Sequence, residues 1–189
     1  MLKIISTFLK TGPLLLLTAV LFVIGCQQAK PDLSLELKPI VDKYAEVWNK
    51  GNVDELDAIM ESDYTYHSNK MPAVNGIDGL KKVLLSFRTA YPDLKLVLED
   101  ELFSENKASG RWHITGTNTG AGEIPPTGKS VDFWGIAILH ISNGKLKEEW
   151  TAFDNQSLME QLGLTMVPMK EEKKKLGGIN YQINMSSIT

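Results

Sequence analysis

The sequence predicts an α+β fold, with N-terminal helices packed on a curved antiparallel sheet that encloses a pocket. Three observations carry this. Apolar residues recur at helical spacing through the first part of the domain, the period changes to two after Pro92, and Asn143-Gly144 marks a tight hairpin between two late strands. Helices followed by a run of consecutive strands define the class.

The elements follow in order. Leu37, Ile40, Val41, Tyr44, Val47 and Trp48 form one helical stripe, and Gly51 is placed to stop it. Asn52 with Glu55 has capping-box spacing for a second, short helix bearing Val53, Leu56, Ile59 and Met60. Tyr64 to His67 alternates as a short strand, and Met71 to Gly76 carries the breakers of a loop. Leu80, Val83, Leu84, Phe87 and Tyr91 mark a third helix, halted by Pro92. Four strands are then expected, over 94–103, 107–118, 130–141 and 145–153. A short helix follows Asp154, and 166–189, with KEEKKK at 170–175, reads as a solvated polar tail.

The N-terminus is a different substance. Lys3 and Lys10 precede an apolar run from Leu14 to Ile24, and the run ends in Val23-Ile24-Gly25-Cys26. A basic start, an apolar centre and a small residue before the cut describe a secretory signal. Cys26 is the only cysteine, so no internal disulfide can form. The four residues 23–26 resemble the lipobox of bacterial lipoproteins, in which the Cys is lipidated. The other readings are a plain signal peptide or an anchor with an idle Cys. The expected organisation is a signal over 1–25, a tether over 26–34, one domain over 35–165 and the tail over 166–189. The expected location is a bacterial membrane, with the domain held outside the cytoplasm by lipid. Formal net charge is −3 over 189 residues, which gives no basic face for nucleic acid.

The stretch from about Tyr64 to Gly163 resembles the SnoaL-like polyketide cyclases, or ester cyclases, of the nuclear transport factor 2-like superfamily. The matching pieces are ESDYTYH at 61–67, GIDGLKKVLLSFRTAYPDL at 76–94, GRW at 110–112, GTNTG at 116–120, EIPPTGK at 123–129, GIAI at 135–138, NGKLKEEW at 143–150, Asp154, and MEQLG at 159–163. The resemblance implies a cone-shaped fold. It also implies ring closure by an intramolecular aldol reaction, with no metal or organic cofactor and a carboxylate as acid/base. It assigns Asp154 to that carboxylate and His140 and His67 to other pocket positions. One residue departs from the pattern: many relatives carry His where this chain has Asn118.

The residues themselves admit two readings each. Asp154 after an aromatic strand would lose water and gain a raised pKa suited to proton abstraction. It also stands where an Asp caps a helix. His140 would orient a substrate oxygen or end a strand at the surface, and His67 would line the cavity rim or satisfy a loop carbonyl. Strand parity, taken with the cone, expects Trp112, Asn118, Trp134, Trp150 and Asp154 to face one cavity. No metal set is evident, because the three His are scattered and no thiol cluster exists. The expected ligand is a small apolar carbonyl compound, turned over by acid/base chemistry. The alternative is a lipoprotein that binds such a ligand without reaction. A homodimer through the open sheet face is a further expectation.

Overall fold

The structure, a computed structural model, describes residues 33–168 and 181–184. Helix α1 (Ser34–Lys50) turns Leu37, Val41, Tyr44, Val47 and Trp48 to one side, and all five are buried. Each such side chain contributes about 1.5–3 kcal/mol by leaving water. The expected second helix is shorter than its capping pattern suggested. It is a 3₁₀ turn (Val53–Glu55) followed by one turn of helix, α2 (Leu56–Ile59), and Asn52 makes no side-chain cap bond. Strand β1 (Met60–Ser68) takes over at Met60, where the backbone becomes extended. The two-residue β2 (Val74–Asn75) leads into helix α3 (Ile77–Ala90), which buries Leu80 and Leu84.

Four long strands follow: β3 (Lys95–Ser104), β4 (Lys107–Thr117), β5 (Ser130–Ser142) and β6 (Lys145–Phe153). The β5–β6 turn places Asn143 and Gly144 at φ 51° and 72°, the positive values their residue types tolerate. Helix α4 (Asn155–Gln161) comes next. The stretch read as a polar tail contains two short strands, β7 (Thr165–Pro168) and β8 (Tyr181–Asn184), paired antiparallel in their own small sheet.

The main sheet has the order β2-β1-β6-β5-β4-β3. It is mixed, which corrects the antiparallel expectation: β1 runs parallel to β6, with Tyr66 opposite Glu149 and His67 opposite Trp150. Hairpin signals report only on strands adjacent in sequence. β1 reaches β6 after α3 and the four strands β2 to β5 intervene, a crossover long enough for parallel pairing. Register shifts between Glu99 and Leu102 on β3 and between His140 and Ile141 on β5 interrupt the ladders. Such bulges bend strands and sharpen twist. The inner face of the curved sheet lies on α1 and α3, and the buried core runs between them.

Candidate functional site

A cavity lies between α1 and the inner face of the sheet. Tyr44, Trp48, Tyr66, Phe87, Trp112, Phe133, Glu149, Thr151 and Phe153 are among its walls, with Leu96 and Leu98 from β3. Its volume is about 70 Å³, several times the roughly 10–15 Å³ that one water needs. Trp112 is part of this wall, and its indole N–H donates to Thr151 Oγ1 at 3.1 Å. The ring crosses the neighbouring strand at Gly135, where any Cβ would stand 2.2 Å from Trp112 Cζ2. Glycine at 135 is therefore what lets a full indole line the cavity.

Glu149 is the carboxylate of this cavity. It is 5% exposed, and its Oε2 accepts from the Tyr44 hydroxyl at 2.7 Å and the Tyr64 hydroxyl at 2.9 Å. No protein donor meets its Oε1 among the described residues. Burial pushes its pKa up from the usual carboxylate range to about 7, and the two hydroxyl donors pull against that rise. The same burial drives the Tyr44, Tyr64 and Tyr66 phenols upward, so all three remain neutral donors near neutrality. Tyr66 lines the cavity beside Glu149.

Sequence reasoning missed Glu149, and the reason is physical. Counting alternately from buried Leu146 puts Glu148 and Trp150 inside. The ladder instead pairs Ile141 with Leu146 and His140 with Glu148, leaving Lys147 as an extra residue. One inserted residue moves all that follows to the other face. Glu149 and Thr151 thus turn inward, while Glu148 and Trp150 turn outward. A usable signal was present in Tyr64 and Tyr66, two residues apart in β1, whose shared face needs a polar partner once buried.

The outward face gathers several of the expected pocket residues, and here the structure corrects the cavity expected from parity. Trp134 and Trp150 are 53% and 52% exposed on the outer face, on the side of the sheet opposite Trp112. His67 and His140 belong to the same outer face. His67 Nε2 lies 3.0 Å from Glu148 Oε1, and His140 Nδ1 lies 2.9 Å from Glu148 Oε2. The His67 ring stacks on Trp150, with centroids 3.9 Å apart and planes at 11°. Trp134, Ile136, Ile138 and His140 share one face of β5. That face is the outer one because Phe133, Gly135 and Leu139 are the residues packed inward.

Asp154 is exposed and caps α4, with its Oδ1 accepting the Ser157 backbone N–H at 2.9 Å. It is not a wall of the cavity that holds Glu149. Asn118 is buried, and it organises the β4–β5 loop. Its Oδ1 accepts from Thr127 N–H at 2.8 Å, and its Nδ2 approaches Ala90 O at 3.4 Å. Among the described residues no group of three or more His, Cys, Asp and Glu side chains is arranged to hold a metal. Cys26, with the signal and lipidation expected around it, lies outside the described residues.

A second, larger cavity of about 270 Å³ opens between α3, α4 and the β4–β5 loop. Asn118 forms part of its wall, and Phe87 is a wall of both cavities.

Helices on a bent, unclosed mixed sheet around an internal cavity define a nuclear transport factor 2-like cone. Residues 38–162 match the family model described as SnoaL-like polyketide cyclase, and the chain belongs to that family. Solved structures agree. A protein of Bacillus cereus described as an inferred polyketide cyclase is 28% identical, with a TM-score of 0.59 over 68% of this chain and 80% of that one. TsrD from Streptomyces laurentii is 26% identical, with a TM-score of 0.63 over 71% and 98%. AclR from Streptomyces galilaeus, described as an inferred hydroxylase, is 24% identical, with a TM-score of 0.61 over 68% and 82%. The last likeness speaks for the fold alone. No curated protein matches the chain.

Proposed function

We propose that this protein performs acid/base chemistry on a small, largely apolar carbonyl compound, with Glu149 as the group that takes and returns the proton. The observation that carries the reading is a buried carboxylate on the cavity wall, held by two phenols and poised near pH 7. A base is most effective when its pKa lies near the working pH. Oε2 is occupied by Tyr44 and Tyr64, so Oε1 is the atom that meets the substrate. Removing a proton next to a carbonyl puts negative charge on the carbonyl oxygen. The neutral Tyr66 hydroxyl is the donor in the wall suited to that oxygen. The aromatic walls exclude water and fold an apolar chain on itself, which an intramolecular aldol closure needs. Family membership supports this class of reaction, and the particular substrate is open to screening. The test is Glu149→Gln on a compound that the wild type converts. A loss of about 10²–10⁴-fold in rate with binding retained is the expected result. An unchanged rate removes Glu149 from the mechanism. If such compounds bind and none is converted by the wild type, the protein is a ligand binder.

We also propose that a second copy of the chain covers the outer sheet face. Trp134, Ile136, Ile138 and Trp150 form an exposed apolar group there, of a kind that marks interaction sites. Several charges on that face are answered within the chain. Glu148 sits between His67 and His140, and Arg111 is paired with Glu99 and Asp100. An apolar group ringed by such internal pairs suits a symmetric contact with itself. We retain lipidation of Cys26 as the proposed membrane attachment. It is tested by the mass of the mature N-terminal residue, and an unmodified Cys26 sinks it.

A further inference from the structure

The second cavity differs from the first in its electrostatics. Its walls are apolar, from Met71, Val83, Tyr91, Ile124, Leu158 and Met159, but two lysines line it, Lys70 and Lys82. Glu123 is the one acid among its lining residues. Lys70 is engaged twice within the protein. Its ammonium is 3.5 Å from Glu123 Oε2 and stands over the Phe87 ring, 5.8 Å from the centroid. Glu123 is 78% exposed, so this contact is solvent-screened and easily exchanged. Lys82 is exposed and has no ion pair among the described residues. An apolar pocket lined by two lysines, with one loosely held counter-ion, suits an anion on an apolar body.

The position of Phe87 links this pocket to the reacting cavity. It lines both, and Lys70 stands over its ring. A ligand that displaces Glu123 from Lys70 changes what lies on the far side of the wall of the Glu149 cavity.

We propose that the pocket formed by α3, α4 and the β4–β5 loop binds the carboxylate end of the ligand, with Lys70 and Lys82 as its partners and Glu123 as the group displaced. The substrate class is thereby narrowed to apolar carbonyl compounds that carry a free carboxylate. This rests on the reading of the Glu149 cavity as the reacting site. The carboxylate stays at the lysines while the apolar part extends past Phe87 toward Glu149.

The test uses two probes of equal size and shape, 4-phenylbutyrate and its neutral amide 4-phenylbutanamide, titrated calorimetrically into the protein. The expected result is carboxylate binding at least about tenfold tighter than amide binding. Lys70→Gln combined with Lys82→Gln abolishes that difference and leaves the amide affinity unchanged. Glu123→Gln, which frees Lys70, strengthens carboxylate binding and gives an independent readout should the lysine variant fold poorly. Equal binding of the two probes, absence of binding by both, or a preference that survives in the lysine variant overturns the proposal. Glu149→Gln keeps the preference for the carboxylate. A preference that vanishes there and persists without the lysines also overturns it. No turnover enters these measurements, so an inactive or kinetically unimportant Glu149 leaves their outcome untouched.

Discussion

Glu148 and Glu149 are consecutive residues with opposite surroundings. Glu148 lies on the outer sheet face between His67 and His140, at 3.0 and 2.9 Å. Glu149 lies inside the cavity, where one carboxylate oxygen receives the hydroxyls of Tyr44 and Tyr64. The sheet therefore separates an imidazole-paired acid at the surface from a phenol-paired acid in the core. Only the second is buried on a cavity wall.

The first prediction concerns the pH dependence of turnover. A base must be deprotonated to act, so the rate on a converted carbonyl substrate rises with pH and levels off above about 7. Tyr44→Phe or Tyr64→Phe removes a donor that stabilises the ionised carboxylate, so the midpoint moves to higher pH. A pH–rate series on the three proteins checks this, and a midpoint that falls or stays put in both variants contradicts it.

The second prediction concerns stability. The folded pKa of Glu149 is raised from 4.5 to about 7, so between these values the folded state holds more protons than the unfolded one. Stability from this group is fully present below about pH 4.5, is lost as pH rises toward 7, and is flat above. The change is on the order of 3 kcal/mol. Glu149→Gln has no such titration. Urea unfolding of both proteins at pH 5 and 8 should show the variant gaining on the wild type by about that amount at the higher pH. Parallel behaviour of the two proteins would falsify the assignment.

The third prediction separates Asp154 from catalysis. Its contact is the Ser157 backbone N–H, a helix cap. Asp154→Ala should cost about 1 kcal/mol, and Asp154→Asn close to nothing, because Asn caps about as well. Turnover should follow stability in both. A large rate loss in a stable Asp154→Asn protein would restore the residue to the mechanism.

The fourth prediction concerns self-association. Ile136 and Trp134 are 52% and 53% exposed on the outer face. Light scattering should find a dimer in the wild type. Ile136→Glu with Trp134→Ser should yield a monomer with an unchanged near-ultraviolet spectrum from the buried aromatics. A monomeric wild type excludes the contact.

The fifth prediction tests the packing that opens the cavity wall. Gly135→Ala places a methyl against Trp112 and within 2.6 Å of the Ala152 carbonyl oxygen. Overpacking of this kind costs typically about 1–3 kcal/mol. A thermal melt that matches the wild type would show that the indole moves aside freely.

Much of the fold is legible in the order of residues. Leu37, Val41, Tyr44, Val47 and Trp48 declare α1 by their spacing alone. Leu96 and Leu98 declare the inward face of β3, and Asn143-Gly144 declares the β5–β6 turn. These are local facts, because helical and strand periods and turn conformations are set by a few neighbouring residues. The short α2 was less legible, since Asn52 and Glu55 have the spacing of a cap without making its bond. Which side of each strand becomes the interior was decided by the tertiary structure. Trp112, Trp134 and Trp150 look equivalent as a string, yet one lines the cavity and two face outward. Alternation defines two faces and does not say which is covered. The inserted Lys147 then reverses the phase within β6, and only pairing with β5 reveals an insertion. The parallel seat of β1 beside β6 brings Tyr64 to Glu149 across 85 positions of chain. No local pattern encodes that distance, so the candidate acid emerged from the packed sheet.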